Sequence, residues 1–141
     1  MADLSEFATK DNADEGKWFP VKVCGKKLPV ALLIYGDDSD KVREYTKKKL
    51  RKLKIGKNGN PDIDEDTLEE LMDSNENITC RIGGIVTWDW KKDKSVPDEK
   101  VELFGRELKN DVQSFNYLVD KLPAIKEFVL EKSNDRTNFL D

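Results

Sequence analysis

The chain contains no histidine. Imidazole is the commonest general base near neutral pH and a leading metal ligand. Its absence excludes Ser-His-Asp and Cys-His nucleophilic sites, and every zinc site that draws on histidine. Only two cysteines occur, Cys24 and Cys80, far apart and without CxxC spacing. They are expected to be small, partly or wholly buried apolar groups rather than a disulfide. No apolar run approaches the ~20 residues that a bilayer-crossing helix needs. The first 17 residues are acidic and polar, with no hydrophobic signal core. Gly25, Gly36, Gly83 and Gly84 form neither a GxGxxG loop nor a Walker loop. Excess basic charge is missing too: the net charge of −4 opposes general nucleic-acid binding, which rests on counterion release. These absences together point to a soluble, intracellular protein without chemistry of its own, needing no cofactor and no metal, that works by binding other proteins.

What is present suits that reading. The 141 residues fit one domain. Charged residues make up 38% and hydrophobic residues 37%, so the expected core is thin and the surface heavily charged. Residues 1–16 read as a disordered N-terminal tail, and 17–141 as a single α+β domain, mainly α. Residues 18–23 (WFPVKV) and 28–35 (LPVALLIY) read as two strands joined by a turn at Cys24 to Lys27. Pro20 marks the first as an edge or bulged strand, because proline cannot donate to a ladder. A lone hairpin is marginal, so this one must pack on helices or gain further strands. The expected architecture is this N-terminal hairpin packed on a bundle of about four helices.

Ser39 or Asp38 can cap a helix over residues 40–54, which sets Val42, Tyr45, Leu50 and Leu53 to one side. Its other face is basic, from Lys47 to Lys54. That face could serve nucleic acid or a membrane surface. The acidic block from Asp62 to Glu76 makes internal or inter-subunit pairing the simpler outcome. Residues 55–63 form a flexible connector. A helix starts in the acidic run after Asp64. Over residues 78–90 the helical and strand templates both fit, and periodicity alone does not separate them. Read from the residues alone, the helix stops near Ser74. A charged loop follows over 89–100, then a short strand over 101–104. Asn110 or Asp111 caps a helix with the stripe Val112, Phe115, Leu118, Val119 and Leu122. Pro123 opens the last helix, which carries Ile125, Phe128 and Val129 on one face.

The carboxylate cluster of residues 62–76 could hold a metal ion, but the oxygen-rich run from Asn58 to Asp66 lacks the ligand order of a calcium loop, and Pro61 falls in the wrong place. A two-carboxylate hydrolase is a reading that any acidic chain permits. Three tryptophans stand out. Trp18 and Trp88 are expected to pack inward, whereas Trp90, at the start of the charged loop, could anchor a partner. The ending Asp135-Arg136-Thr137-Asn138-Phe139-Leu140 is unusually apolar for a tail. Either it folds back over the core or it is a docking peptide.

The order of these pieces resembles small tail-assembly proteins of long-tailed bacteriophages, often described as tail assembly chaperones. The matching features are Trp18, Pro20 and Val21, then Gly36, Asp38 and Ser39 before a basic helix, and then Thr87-Trp88-Asp89. Phe104, Asn110, Leu118, Pro123 and Ile125 follow in order, with Asp135-Arg136, Asn138 and Phe139 at the end. The family commonly has an aromatic after the proline, where this chain has Ala124-Ile125. The resemblance extends the middle helix to about Thr87. It implies binding to the phage tape-measure protein, the tail-tube protein, or both, in the host bacterial cytoplasm, with no nucleic-acid or membrane partner. Self-association is compatible with it. The alternative is a structural minor tail protein retained in the virion. The residues expected to meet the partner are Trp90, Phe128, Arg136, Asn138 and Phe139.

Overall fold

A computed structural model describes residues 3–53, 75–96 and 99–140. The connector over 55–63 and the acidic helix start lie outside the described residues. The fold is mixed α+β, with an N-terminal β-sheet region and several helices. β1 (Lys17–Val23) and β2 (Lys26–Ile34) form the expected hairpin. Its two-residue turn, Cys24-Gly25, has left-handed φ at both positions (53° and 76°). That is the requirement of a type I′ turn, whose twist matches that of the flanking strands.

The hairpin is half of a larger sheet. β3 (Ile82–Asp89) pairs antiparallel with β2, and β4 (Lys94–Ser95) pairs with the end of β3, giving the order β1-β2-β3-β4. The helix that the resemblance extended to Thr87 is therefore not there. A five-residue helix, α3 (Asn75–Thr79), ends before the strand begins. The glycine pair explains why a strand wins. Leu33 pairs with Gly84 and Ile34 with Ile82, so Gly83 is the extra residue of a bulge. A Cβ on Gly83 would collide with the Tyr35 hydroxyl, and one on Gly84 would sit 3.0 Å from the Trp18 indole. At both sites a side chain would force the neighbouring ring to shift.

Both strand prolines sit where the ladder tolerates them. Pro20 lies on the edge strand. Pro20 pairs with Ala31 and Lys22 with Lys27, so β2 carries two extra residues in that interval, which contains Pro29.

Cross-strand partners share a face of the sheet. Phe19, Leu32 and Ile85 align across three strands and are buried in the core. Trp18, Leu33 and Gly84 align on the opposite face. Three helices close the core: α3, α4 (Val112–Lys121) and α5 (Ala124–Asn134) touch one another, and α5 lies against β1 and β2. They contribute Ile78, Phe115, Leu118, Val119, Ile125 and Val129 to the core. Pro123 stands just before α5 rather than within it. Val112 was expected in the buried stripe of α4 but stands exposed at the first position of the helix.

The cap of α4 resolves an open choice. Asp111 accepts the Ser114 N–H at 2.7 Å, and the Ser114 hydroxyl accepts the Lys109 N–H at 2.9 Å. Asn110 does a different job: its side-chain oxygen accepts the Ile85 N–H of β3 at 2.9 Å. At the other cap, the Ser39 hydroxyl accepts the Val42 N–H of α2 (Asp40–Leu53) at 3.4 Å.

The N-terminal segment departs from the expected disordered tail. A 3-10 turn, Ser5–Phe7, precedes a short helix, α1 (Lys10–Glu15). Ala13 is buried, and its carbonyl accepts the Gly36 N–H at 3.2 Å. Asp14 accepts the Asp40 N–H at 2.7 Å. A polar sequence is thus ordered by specific hydrogen bonds to the β2–α2 turn rather than by apolar periodicity. Between β3 and α4 a second hairpin, β5 (Glu102–Leu103) and β6 (Arg106–Glu107), follows the charged loop.

Candidate functional site

The residues expected to meet a partner do not gather into one surface. Trp90 is half-buried. Its indole N–H donates to the Leu28 carbonyl at 2.5 Å, and Lys27 lies 5.2 Å from the ring centre. Phe128 is half-buried against the core, with Lys132 5.6 Å from its ring centre. Asn138 donates to the Lys132 carbonyl at 3.0 Å. Phe139 is 3% exposed and meets Phe19 edge to face, with ring centres 6.4 Å apart. Of the two readings of the apolar ending, folding back over the core is the one the structure adopts. Arg136 stays exposed, but its guanidinium is bound to Asp38 at 2.9 and 3.1 Å.

Two neighbouring aspartates at the end of β2 organise this end of the molecule. Asp38 receives Arg136 and the Thr9 hydroxyl, the latter at 2.9 Å. The Arg136 guanidinium, helped by Thr9 and Arg43, holds the Asp38 carboxyl below its ordinary pKa. Asp37 accepts from the buried Arg81 guanidinium at 3.1 Å and from the Ser133 hydroxyl at 3.1 Å. Arg81 also donates to the Asn77 carbonyl and side chain. This network ties the β2–α2 turn to the α3–β3 junction and to α5. Its geometry is that of a clamp in which Arg81 is paired through its terminal nitrogens, while its buried Nε has no hydrogen-bond partner.

Cys24 lies exposed on the first hairpin turn, and Cys80 is half-buried. Burial pushes the Cys80 thiol above its ordinary pKa. Among the described residues no group of three or more carboxylate or thiol side chains is placed to hold a metal ion.

The surface is more informative. Leu103 pairs with Arg106, so Phe104-Gly105 is a second two-residue turn. Its φ values of 51° and 77° repeat those of Cys24-Gly25. The left-handed conformation costs an L-residue about 1–2 kcal/mol, and a bulky aromatic gains nothing there to offset it. Phe104 is nevertheless 81% exposed. The hairpin is held by α4: the Tyr117 hydroxyl donates to the Leu103 carbonyl at 3.2 Å, and the Arg106 guanidinium stacks 4.6 Å from the Tyr117 ring centre. Between β3 and the start of α4 lies a cavity of about 130 Å³ lined by Thr79, Ile82, Ile85, Asn110, Asp111, Val112 and Phe115 and by the Gly83-Gly84 backbone. Val112, on its lip, is 58% exposed. In sequence Phe104 is expected at the end of a strand, whereas it stands at the tip of a turn. The Phe-Gly pair between two charged, alternating runs is the signal that marks it.

Comparison of the chain with protein-family models, with curated proteins and with solved structures yields no match.

Proposed function

We propose that this chain is a non-enzymatic binding protein, and that its partners are the tape-measure protein, the tail-tube protein, or both, of a long-tailed phage or prophage during tail assembly. The narrower part of this reading rests on the ordered resemblance from Trp18 to Phe139. The observation that carries the broader part is the set of large apolar side chains left on the surface. Trp18, Phe104 and Val112 are exposed on the ordered domain, and Leu4 and Phe7 on the N-terminal turn. Large exposed apolar groups are the usual anchors of protein interfaces, aromatic ones above all. Short amphipathic helices beside a sheet also suit the capture of a long helical partner.

Trp90, Asn138 and Phe139 are engaged within the chain, so we propose the exposed Trp18, Phe104 and Val112 as contact residues in their place. Co-expression with the tape-measure and tail-tube proteins of the same genome tests the reading. Retention of a soluble tape-measure complex that survives purification supports it, and loss of that complex on replacing Trp18 and Phe104 supports the surface. Failure to co-purify with either protein overturns it. Abundant copies in purified virions replace the chaperone role with that of a structural tail protein.

A further inference from the structure

We propose that copies of this chain associate head to tail, the acidic N-terminal segment of one copy seating on a lysine-rich end of the sheet of the next. The lysine end is built by topology. β2 and β3 run antiparallel, so the Cys24-Gly25 turn and the β3–β4 turn fall at the same end of the sheet. The Trp90 indole joins them: it donates to the Leu28 carbonyl, and Lys27 lies 5.2 Å from its ring centre. The two turns and their flanks carry Lys22, Lys26, Lys27, Lys91, Lys92 and Lys94, all exposed, against Asp89 and Asp93. Lys22 stands directly opposite Lys27 across the ladder, a like-charge pair that destabilises its own hairpin. Among the described residues no carboxylate lies within ion-pair distance of any of the six.

The acid lies at the other end. β1 enters the sheet at Lys17, paired with Ile34, and leaves it at Val23. The N-terminal 3-10 turn and α1 come just before β1, so they sit about 20 Å from the lysines, the length of a seven-residue strand. Asp11 and Glu15 are exposed one turn apart on α1, a like-charge spacing that weakens the helix. Among the described residues neither has an ion-pair partner. The cations nearby are engaged elsewhere. Lys10 meets Asp14 and Asp40, Arg43 and Arg136 meet Asp38, and Lys17 and Lys41 lie over the rings of Phe19 and Tyr35. The same segment exposes Leu4 (73%) and Phe7 (62%). Val23, Leu28 and Trp90, half-buried among the lysines, offer these two an apolar footing.

Each end is unfavourable in its own chain and complementary to the other, and this selects a second copy as the occupant. A long polyanion passing beyond the lysines would meet the acidic remainder of a chain whose net charge is −4, whereas a second copy brings its acid at one end. The two ends stand too far apart to meet within one chain. The contact is therefore heterologous, and it repeats as an open chain or closes as a ring. This inference stands whether or not the chain serves tail assembly.

Sedimentation of the full chain over a range of concentrations, in low and in high salt, tests it. The expected result is a reversible association whose average mass climbs past that of a dimer and falls as salt is added. Lys22→Glu with Lys92→Glu, and separately Asp11→Lys with Glu15→Lys, should each weaken it about tenfold or more. All four positions are exposed, so both variants should keep the wild-type circular dichroism spectrum. Mixed in equal amounts, the two variants should stop at a one-to-one dimer, since each keeps one working end. A wild-type chain that stays monomeric in low salt overturns the proposal, whether or not its lysines then bind an added single-stranded oligonucleotide. So does an association that salt or either pair of reversals leaves unchanged, or a mixture that fails to pair.

Discussion

Gly36 shows how much a single position can carry. A Cβ there would lie 2.7 Å from the Ala13 Cβ and 3.0 Å from the Phe139 ring, where α1 and the C-terminal turn meet. Gly36→Ala should therefore lower the stability by about 1–3 kcal/mol, the range for overpacking a tight site, read as a shift in the urea midpoint. The two cysteines make a second test at this scale. Cys24, exposed on its turn, should react promptly with a disulfide reagent at pH 8. Cys80 should react only slowly until the chain is unfolded, because burial both shields its thiol and raises its pKa. Equal rates for the two would contradict the burial of Cys80. The caps were legible to within one residue. A choice between Asn110 and Asp111 was visible in sequence, but not that Asn110 would serve a strand edge.

At the scale of elements, β3 is the instructive failure. Its apolar residues fit both periods. The bulge at Gly83 breaks the alternation that would have declared a strand, and the glycines that weaken either template lie tight against Tyr35 and Trp18 from elsewhere in the chain. No local pattern reports such a tertiary demand. The β1–β2 hairpin was legible because its signals are local: a turn, apolar runs on either side of it and an edge proline. The contact between Asp38 and Arg136, which joins the β2–α2 turn to the C-terminal segment, was not legible, being 98 residues apart. It makes a pH-dependent link. The folded carboxyl titrates below its unfolded value, so the folded state binds fewer protons. Its stabilisation is complete above the unfolded pKa of about 3.9 and fades as pH falls through the folded value. Urea midpoints of the wild type and Asp38→Asn should differ most above about pH 5 and converge in acid. Added salt should narrow the gap, since Arg136 is 72% exposed. A gap that widens in acid would refute the assignment.

For the whole molecule, the core is closed by its last residues. Phe139 packs on Phe19 of β1, and Asn12 donates to the Phe139 carbonyl at 2.8 Å. Phe139→Ala should cost about 3–5 kcal/mol, the range for deleting a buried phenyl ring. Denaturant unfolding would report this as loss at one cooperative transition. A change below 1 kcal/mol, on the order of a surface substitution, would mean that the ending is no part of the core. Neither the apolar tail nor the polar N-terminal segment was readable as structure in isolation, because each is ordered mainly by the other and by the β2–α2 turn.

That mutual ordering has a topological consequence. Residues 12 and 139 are hydrogen-bonded neighbours, so the backbone nearly closes on itself. A flexible linker could join the first and last residues of the 141-residue sequence, and new ends could be cut at the Cys24-Gly25 turn, where a Cβ on Gly25 meets nothing. Such a circular permutant would keep the pairing of β1 with β2 and of β2 with β3 while turning a local hairpin into a long-range contact. It should reach the native circular dichroism spectrum and fold more slowly than the parent, as the added loop-closure entropy requires.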